Sequence, residues 1–488
     1  MLDLRYADQL RAALTRADFT VDAVFALLGE DAHRALARNQ TVPARRATRG
    51  GGALATLVRL FALQVGVDRH RADSALPGLV DPLIAADMLQ ASGSEVRALV
   101  DVRPYGDEGH DWWIVCDPTP GLDERPTPMN PEHVLGISEA SSSLAQLTVR
   151  EPVGTALDLG TGCGVQALHL AQHAERVVAT DVNPRALAMA RLTAALNGLD
   201  IDVRDGSLFE PVAGEAFDLI ATNPPFVISP PGNEVLVYRD SGMPGDSVVR
   251  HLVENAATHL NDGGWCQVLA NWAHRAGTDW HSGLEEWFTG QPLDAWVVQR
   301  ELVDPAEYVE MWLADAGLAS APDHAQRYDA WLDWFAEVGI EAVGFGWLSM
   351  RRTDSTPVRR LEEWAGEIAP PVAPAVAAWG LRTDLLRGLG DDELLGRAFV
   401  QAPDLVEETR GPVGAEHPEA IVLRLQQGVR RARQVDTVEA GLVSASEGDL
   451  TAGQILDALA SLLDLDAATV RRTYAGSVRE LVADGFLS

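Results

Sequence analysis

The spacing of apolar residues predicts different structures for the beginning, the middle and the end of the chain. In the first part, apolar residues recur every three to four positions, as between Ala53 and Val65, which predicts helices. Two apolar stretches follow, Val96–Val102 and Trp112–Cys116, and the glycines between them predict a hairpin. Helices followed by a hairpin are typical of a winged-helix module. We therefore expect an α+β, winged-helix-like domain over residues 1–131, ending in a proline-rich linker.

From about residue 150, short apolar stretches alternate with amphipathic helical patterns such as Pro184–Asn197. The stretches that predict strands are Thr155–Leu159, Arg176–Asp181, Ile201–Arg204, Phe217–Thr222, Trp265–Asn271, Ala295–Arg300 and Ala342–Met350. An insertion with two predicted helices, Ala306–Ala316 and Ala325–Val338, precedes the last strand. This alternation predicts a doubly wound, mostly parallel seven-stranded sheet, that is, a Rossmann-like α/β domain over residues 132–359.

The rest of the chain, residues 360–488, is predicted to form a mainly helical domain. Its end predicts three short helices, Thr451–Leu463, Asp466–Tyr474 and Val478–Ala483. This pattern is similar to part of a winged-helix module, and a packing or dimerisation domain is the alternative interpretation. The sequence does not define the oligomeric state.

Composition excludes several classes of protein. Of 488 residues, 47% are hydrophobic, which is typical of a globular protein. No apolar run is long enough to predict a membrane span, and the first residues do not predict a signal peptide, so we expect a cytoplasmic protein. Three cysteines, Cys116, Cys163 and Cys266, are too widely spaced to predict a disulfide framework or a metal site.

The charge is distributed unevenly. The net charge of −32 disfavours nucleic acid as a partner, because like charges repel. However, residues 34–71 carry eight arginines and a single acid, Asp68, in a chain without lysine. These arginines are Arg34, Arg38, Arg45, Arg46, Arg49, Arg59, Arg69 and Arg71. They predict either contacts with phosphates or a solvated, ion-paired face.

A glycine-rich loop follows the first predicted strand of the sheet. The segment Ala156-Leu-Asp-Leu-Gly-Thr-Gly-Cys-Gly places glycines at 160, 162 and 164, directly before a helical pattern. Alternating glycines permit a sharp turn and a close approach of a ligand to the backbone. A dinucleotide fingerprint requires its third glycine at position 165, which is Val165, so the spacing disfavours NAD and FAD.

The second and third strands add candidate ligand-binding residues. Asp181 ends the second strand, where a carboxylate is placed to accept hydrogen bonds from ribose hydroxyls. Asn183 and Pro184 predict the cap and first turn of the next helix. After the third strand, the turn Asp205-Gly-Ser-Leu-Phe falls where an adenine would lie, between Val182 and Leu208. A simple Asp-Gly turn is the alternative.

The fourth strand ends in the tetrapeptide Asn223-Pro-Pro-Phe226. Pro224 and Pro225 fix the backbone and remove two N–H donors, and Asn223 adds a side-chain acceptor. Two fixed acceptors, Asn223 Oδ1 and the Pro224 carbonyl, suit the two hydrogens of a substrate –NH2 group. Phe226 would then stack on the planar group that bears this nitrogen.

In this order, the glycine loop, Asp181 and Asn223-Pro-Pro-Phe226 resemble class I methyltransferases of the N-methylating branch, over about residues 135–355. That branch includes HemK-like glutamine methyltransferases and the methyltransferase small domain family. The resemblance implies S-adenosylmethionine (SAM) as the cofactor, and a helix from Gly136 that covers it. The cofactor-binding residues we predict are Asp158, Gly160, Thr161, Gly162, Gly164, Asp181, Val182, Asp205, Ser207 and Asn223, and the catalytic residues are Asn223, Pro224, Pro225 and Phe226.

The sequence defines the methyl acceptor less closely than the cofactor. Related RNA guanine methyltransferases typically have His after the aromatic residue, whereas this chain has Val227-Ile228, which favours a protein glutamine as acceptor. A nucleic-acid base, contacted through the arginine-rich residues 34–71, is the alternative. A small-molecule acceptor and a non-catalytic SAM-binding regulator are further alternatives. The loop from Tyr238 to Asp246 is predicted either to line the substrate site or to be a simple connector.

Overall fold

The computed structural model describes residues 4–107, 109–124, 130–231, 236–413 and 418–488. The chain divides into two compact units. The first comprises Met1–Ala145, Glu151–Leu293 and Val297–Ser355, and the second comprises Gln146–Arg150, Asp294–Trp296 and Thr356–Ser488. The three predicted domains, with boundaries after residues 131 and 359, stay a prediction. The predicted proline-rich linker lies partly outside the described residues.

The first unit opens with short helices and small antiparallel sheets. Its helices are α1 (Ala7–Arg16), α2 (Val21–Leu28), α3 (Glu30–Leu36), α4 (Val42–Ala47), α5 (Ala53–Leu60), α6 (Arg69–Ala75) and α7 (Val80–Ala85), with 3-10 turns at Leu4–Tyr6, Thr48–Gly50 and Leu122–Glu124. Its strands are β1 (Val67–Asp68), β2 (Leu89–Ser92), β3 (Glu95–Ala98), β4 (Asp101–Asp107) and β5 (His110–Cys116). Strands β1, β3 and β2 form one sheet in that order, and β4 pairs with β5.

The prediction that Val96–Val102 forms the first strand of the hairpin is wrong. Val96–Val102 is divided between β3, which pairs with β2, and β4, which pairs with β5. The chain stays beside β2 as far as Leu99, whose N–H donates to the Met88 carbonyl at 2.8 Å, and then turns so that Asp101 pairs with Cys116. The apolar pattern continues through this bend because Val100 and Val102 are both buried. The winged-helix interpretation stays a prediction.

These helices share a hydrophobic core with two helices of the central α/β part that follows. One core cluster joins Leu10 and Phe61 to Leu168, Met189 and Leu192. The hairpin also hydrogen-bonds to the helix that carries Met189 and Leu192. The N–H of Trp113 donates to Asn197 Oδ1, and the N–H of Val115 donates to Thr193 Oγ1, both at 3.0 Å. The amino-terminal part and the central sheet are therefore packed as one body within the first unit.

The central α/β part confirms the predicted fold. Its helices are α8 (Glu139–Leu147), α9 (Val165–Leu170), α10 (Pro184–Asn197), α11 (Ser247–Ala256), α12 (Trp280–Trp287), α13 (Pro305–Asp315) and α14 (His324–Glu337), with 3-10 turns at Glu210–Val212 and Ala257–His259. Its strands are β6 (Val153–Leu159), β7 (Ala174–Asp181), β8 (Ile201–Asp205), β9 (Phe217–Thr222), β10 (Leu260–Arg275), β11 (Leu293–Val303) and β12 (Ile340–Arg352). All seven predicted strands are present in the described residues, with somewhat different ends.

The order of the strands places the ends of β6 and β9 side by side. The sheet runs β11-β12-β10-β9-β6-β7-β8. From β8 to β10 neighbouring strands are parallel, whereas β12 is antiparallel to β10. The chain leaves β6 towards β7 and returns on the other side at β9, so a switch point lies between β6 and β9. Ligands of open α/β sheets bind outside the carboxyl ends of the strands at such a point.

The second unit combines helices and strands. Its strands are β13 (Arg359–Glu363), β14 (Ala398–Val400), β15 (Leu405–Arg410), β16 (Ala420–Leu425), β17 (Ala432–Val435) and β18 (Glu447–Thr451), and its helices are α15 (Ala373–Leu386), α16 (Asp391–Leu395), α17 (Thr437–Ser444), α18 (Ala452–Leu462) and α19 (Ala467–Asp484). Strands β15, β16 and β17 form an antiparallel sheet, and β14 pairs with β18. Strand β13 lies beside β11, whose residues Asp294–Trp296 belong to the same unit.

The predicted mainly helical character of residues 360–488 is incomplete, because the strands β14–β18 were not predicted. In addition, the last two predicted helices, separated at Ala475-Gly-Ser, form the single helix α19. Val470, Val478 and Leu481 are buried on the same helix. Their burial outweighs the cost of Gly476 inside a helix, about 1 kcal/mol relative to alanine.

No helix in the described part of the chain combines the length and apolar character needed to cross a membrane. Among the described residues, no group of three His, Cys, Asp or Glu side chains is placed to hold a metal ion.

Candidate active site at the carboxyl ends of the sheet

A cavity of about 270 Å³ lies at the carboxyl ends of β6, β7 and β9. Its walls also include the turn after β8 and two loop segments, residues 133–141 and 237–243. The predicted site residues that line it are Asp158, Gly160, Thr161, Gly162, Asp181, Val182, Ser207, Asn223, Pro224 and Pro225. Three others, Gly164, Asp205 and Phe226, do not line it. Residues that sequence analysis placed on separate loops are thus brought to one cavity.

The glycines of the loop after β6 have two different roles. Gly160 and Gly162 have φ values of 77° and 55°, which disfavour other residues, and a Cβ added to either would meet no atom within 4 Å. Their backbone therefore borders open space on the cavity side. Gly164, with φ of 89°, faces α10 instead, where an added Cβ would lie 3.4 Å from Ala190 Cα. Gly164 thus sets the packing of α9 on α10.

Asp158 is buried at the end of β6. Its Oδ2 accepts hydrogen bonds from Thr161 Oγ1 at 2.6 Å and from the Ala167 N–H at 3.0 Å. Its Oδ1 is buried and has no partner among the described residues. Burial raises the pKa of Asp158 to about 7, although these hydrogen bonds oppose the rise. This carboxyl group is therefore close to half protonated near neutral pH.

Asp181 ties the second strand to the glycine loop. Its Oδ2 accepts the Gly162 N–H at 2.9 Å, and its Oδ1 accepts the Asn183 N–H at 2.8 Å. Burial raises the pKa of Asp181, while these backbone N–H groups act in the opposite direction. Asn183 caps α10 by accepting the Arg185 N–H at 2.9 Å, with Pro184 in the first turn, as predicted.

The turn after β8 contributes less than the sequence predicted. Gly206, Ser207 and Leu208 line the cavity, whereas Asp205 does not. The Gly206 N–H donates to the Asp181 carbonyl at 3.1 Å, which holds this turn beside the end of β7. Val182, half exposed at 50%, and Leu208 are both available to an apolar ring in the cavity.

Asn223 begins the loop after β9. Thr222 Oγ1 donates to the Leu159 carbonyl at 2.7 Å and so fixes the end of β9 to that of β6. Asn223 lines the cavity. Its Oδ1 is buried and has no hydrogen-bond partner among the described residues. Buried amide oxygens normally have a partner, so this one is available for a ligand.

Phe226 packs among other aromatic side chains. Its ring packs edge-on against Trp312, at 6.4 Å and 75°, and against Phe345, at 6.5 Å and 77°. The next two residues, Val227 and Ile228, are buried in the same aromatic cluster. The predicted stacking of Phe226 on an acceptor stays a prediction, and the structure gives its ring a packing role.

Two side chains from the insertion before β12 hold this loop from behind. Tyr308, on α13, is fully buried, and its hydroxyl accepts the Ile228 N–H at 2.8 Å and a hydrogen bond from Asn271 at 3.0 Å. Trp331, on α14, donates its indole N–H to the Ile228 carbonyl at 3.1 Å. Sequence analysis missed both residues. The only available signal was an aromatic stripe at helical spacing, which ordinarily indicates core packing.

Two segments cover the cavity. Before α8, Gly136 and Ser138 line it, and Gln166 donates to the Ser141 carbonyl at 2.7 Å. On the other side lies Tyr238, from the loop that was predicted either to line the substrate or to connect. Tyr238 donates to Asp315 Oδ2 at 2.5 Å, and its ring lies 6.4 Å from the ring of His133. Burial lowers the pKa of His133, so the neutral imidazole is favoured there.

Two protein-family models match the chain. Residues 16–99 match a domain of unknown function, DUF7059, and residues 136–290 match the methyltransferase small domain. This central part of the chain is therefore similar to the methyltransferase small domain family. The predicted class of methyltransferase, with SAM as its methyl donor, is confirmed for this domain.

Relatives of the methyltransferase domain fall into two groups. A ribosomal RNA small subunit methyltransferase C of Salmonella arizonae is 31% identical over 216 residues, which is 42% of this chain and 57% of the relative. A release factor glutamine methyltransferase of Geobacter sulfurreducens is 37% identical over 124 residues, which is 23% of this chain and 43% of the relative. The chain thus spans about half the length of the curated relatives it matches.

Solved structures to which this chain is similar include a T. thermophilus 16S rRNA N2 G1207 methyltransferase in complex with AdoMet and guanosine. It is 19% identical, with a TM-score of 0.28, and the match covers 52% of this chain and 68% of that chain. A methyltransferase from Pyrococcus furiosus is 20% identical, with a TM-score of 0.25, over 33% of this chain and 75% of that chain.

Proposed function

We propose that this protein is a SAM-dependent N-methyltransferase that acts on an –NH2 group attached to a planar group. The observation that carries the proposal is Asn223 Oδ1, a buried acceptor without a partner that borders the cavity. It stands beside the carbonyl of Pro224, in a turn in which two prolines have removed the competing N–H donors. Such a pair of acceptors fits the two hydrogens of a primary amino or amide nitrogen.

The residues around the cavity fit the cofactor of this domain family. SAM supplies a methyl group on a positively charged sulfur. The open backbone at Gly160 and Gly162 admits a ligand, and the free Oδ1 of Asp158 is an acceptor for its polar groups. Each oxygen of Asp181 accepts one backbone N–H and retains a lone pair for ribose hydroxyls. Val182 and Leu208 offer apolar contacts to a flat ring.

In this proposal the loop after β9 acts by positioning. Asn223 Oδ1 and the Pro224 carbonyl accept the two N–H groups, which turns the nitrogen lone pair towards the methyl carbon. When bound, SAM would supply an electrophilic methyl carbon to this lone pair and leave as the neutral thioether, while one nitrogen proton would pass to solvent. Neither oxygen is basic enough to keep that proton, so most of the rate enhancement comes from alignment of the reactants.

Two acceptor classes carry such a nitrogen: the exocyclic amine of a nucleic-acid base and the side chain of glutamine. Glutamine was favoured in the sequence by Val227 and Ile228, and the release factor methyltransferase relatives support it. In the structure, however, both residues are buried against the aromatic cluster around Tyr308, and Ile228 does not line the cavity. Their identity therefore reflects packing of the loop and says little about the acceptor.

A specific observation favours a nucleic-acid base. We name Arg45, Arg49, Arg59 and Arg71 the arginine surface. Burial lowers the pKa of Arg59, and the positive charges of Arg45, Arg71 and Arg49 lower it further. This effect indicates that the four charges lie close together. None of the four forms an ion pair with a residue that the structure describes.

Two other arginines of the same segment are ion-paired. Arg34 pairs with Glu30 at 3.0 Å and with Asp31 at 2.7 Å, and Arg69 pairs with Asp73 and Asp81, both at 2.9 Å. In a chain with a net charge of −32, the unpaired positive charges of the arginine surface suit a phosphate backbone. The ribosomal RNA methyltransferase relatives also support RNA as the acceptor class.

The first experiment transfers labelled methyl from SAM into a lysate of the native host that lacks this protein. We expect macromolecular label that is removed by nuclease and resists protease. Label removed by protease alone would select the glutamine candidate. The absence of macromolecular label, with normal SAM binding in a calorimetric titration, would contradict both candidates and leave a small-molecule acceptor or a regulator.

A second experiment tests the arginine surface itself. The variant R45Q/R49Q/R71Q is compared with R34Q/R327Q/R471Q, in which the arginines pair with acids at 3.0, 2.7 and 2.5 Å. Both variants change the net charge from −32 by three, to −35, so overall charge is matched. The probe is a fluorescent single-stranded RNA, titrated at several salt concentrations.

We expect the first variant to reduce the slope of log affinity against log salt by about 2, since single strands contribute about 0.7 per phosphate contact. The control variant should keep the wild-type slope. Equal slopes in the two variants, or competition by polyglutamate as strong as by RNA, would contradict RNA binding at this surface.

A further inference from the structure

A second cavity, of about 190 Å³, lies within the second unit. Three arginines line it, Arg360, Arg382 and Arg387, together with Trp379 and Thr383. It shares no residue with the methyltransferase cavity. A concentration of three positive charges at one small cavity requires negative partners, so the question is which of the three has one.

Arg387 and Arg360 are both compensated. Arg387 donates to the buried carboxylate of Asp294 at 2.6 Å and to the Thr356 carbonyl at 2.5 Å. Arg360 donates to Asp484 at 2.7 Å and to Glu362 at 3.1 Å. These ion pairs hold both guanidinium groups at the cavity wall.

Arg382 is not compensated. It forms no hydrogen bond or ion pair with any residue that the structure describes, and its Nε is buried without a partner. The nearby acids, Glu362 and Asp484, are already shared by Arg360 and Arg431, with Arg431 at 2.7 Å from Glu362 and 3.7 Å from Asp484. Three arginines thus stand against two carboxylates, which leaves one positive charge in excess.

The surroundings make this charge unfavourable. Burial, together with the charges of Arg360 and Arg431, lowers the pKa of Arg382 to about 10, so the side chain is still charged at neutral pH. The guanidinium is held against the end of α19, where a Cβ added to Gly485 would lie 3.1 Å from its central carbon. A charge that is withdrawn from water without a partner destabilises the folded state.

We propose that this cavity binds a small phosphate group, either inorganic phosphate or a phosphate monoester, with Arg382 as its principal ligand. The planar guanidinium offers paired donors that match two phosphate oxygens, and Thr383 adds a hydroxyl on the same helix. Phosphate fits better than a carboxylate, because it has further oxygens for the Thr383 hydroxyl when two of them are bound by the Arg382 guanidinium. The apolar wall, which includes Leu386, would contact the organic part of a monoester.

The test measures the melting temperature (Tm) of the full chain during titration with inorganic phosphate, at constant ionic strength set with chloride. Wild type and Arg382→Met are compared, with Arg471→Met as the control. Arg471 lies in the same unit and pairs with Asp457 at 2.5 Å. Acetate and a phosphate monoester are titrated in the same way, to separate carboxylate from phosphate chemistry and free phosphate from an organic phosphate.

We expect phosphate to raise the Tm of wild type and of the control with saturation, and to leave Arg382→Met unchanged. Without phosphate, Arg382→Met should have the higher Tm, because it removes an uncompensated charge. A purely structural role for Arg382 predicts the opposite, a lower Tm of the variant in every buffer. A flat phosphate titration of wild type, or an equal response of Arg382→Met, would overturn the proposal.

If Arg382→Met does not fold, Arg382→Lys retains the charge and loses the planar pair of donors. Phosphate should then bind with at least tenfold weaker affinity than to wild type in equilibrium dialysis. Unchanged affinity of Arg382→Lys would overturn the role of the guanidinium. SAM binding, measured in parallel, should be the same in all these variants, so failure here is distinguishable from failure of the proposed methyl transfer.

Discussion

The two loops that meet at the switch point of the central sheet are stabilised in opposite ways. The glycine loop after β6 is held mainly by its own neighbours, since Asp158 and Asp181 accept hydrogen bonds from Thr161 and Gly162. The loop after β9 is held from behind, by Tyr308 and Trp331 of a distant insertion, and leaves Asn223 Oδ1 free on the cavity side. In the proposed function, the first loop would hold the cofactor and the second would orient the reacting group.

The largest effect of a substitution is expected at Asn223, the open hydrogen-bond acceptor of the loop after β9. Asn223→Ala should lower kcat/KM by about a thousandfold, because it removes a contact used mainly in the transition state, whereas the Kd of SAM should change little. The measurement is methyl transfer with the acceptor identified from the lysate, beside calorimetry of SAM. Asn255→Ala, whose amide bonds to the carbonyl of His251 on its own helix, is the control. Unchanged turnover of Asn223→Ala would remove the distinction between the loops.

The next effect concerns the buried carboxyl group of the first loop. The folded-state pKa of Asp158, about 7, lies above the ordinary aspartate value of 3.8, so the folded protein binds an extra proton between these two pH values. Stability contributed by this group is therefore lost as pH rises from about 4 to 7, by about 2–4 kcal/mol. Asp158→Asn should remove this component.

The corresponding measurement is the difference in Tm between wild type and Asp158→Asn at pH 5 and at pH 8, without ligand. Wild type should lose stability relative to the variant at the higher pH. A pH-independent difference would show that Asp158 is already ionised at pH 5 and that burial is compensated by other groups.

A smaller effect is expected at the tip of the second strand. Asp181→Ala should weaken SAM binding by about 1–3 kcal/mol, because it removes an acceptor for ribose and releases the Gly162 N–H. Asp202→Ala, on the neighbouring strand β8, removes an exposed acid paired with Arg204 and should leave the Kd of SAM unchanged. Equal affinities of wild type and Asp181→Ala in calorimetry would exclude Asp181 from the cofactor site.

The smallest effect is expected at the support of the second loop. Tyr308→Phe retains the buried ring but removes the acceptor of the Ile228 N–H, a loss of about 1 kcal/mol or somewhat more. We expect a modest decrease in kcat with nearly unchanged SAM affinity, and a slightly lower Tm. Tyr328→Phe, on the partly exposed side of the same insertion, is the matched control. A loss of SAM binding in Tyr308→Phe would mean that the two loops are not independently stabilised.

Much of the first loop could be predicted from the sequence, because its determinants are local. The glycine spacing, Asp181 and the cap formed by Asn183 all lie close along the chain to the groups they bind. The seven strands were recognised for the same reason, since buried parallel strands are continuous apolar runs. The orientation of Phe226 could not be predicted, because it depends on Trp312, which is 86 positions away and belongs to an insertion.

Errors elsewhere have the same origin. The apolar residues from Val96 to Val102 are all compatible with one strand, and only the pairing partners, β2 and β5, reveal the bend between two strands. In α19, separate helices were predicted on the two sides of Gly476, whereas burial of Val478 and Leu481 continues one helix through it. In both cases a tertiary contact decides between local conformations of similar free energy.

The shared core between the amino-terminal helices and α10 has a further consequence. The helices that carry the arginine surface pack in the same hydrophobic core as α10, and Trp113 and Val115 are hydrogen-bonded to Asn197 and Thr193 of that helix. The distance from a molecule bound at the arginine surface to the methyltransferase cavity is therefore fixed. Acceptors would be selected by the distance between their phosphates and the methylated nitrogen, so lengthening or shortening that spacing should abolish methylation while binding persists.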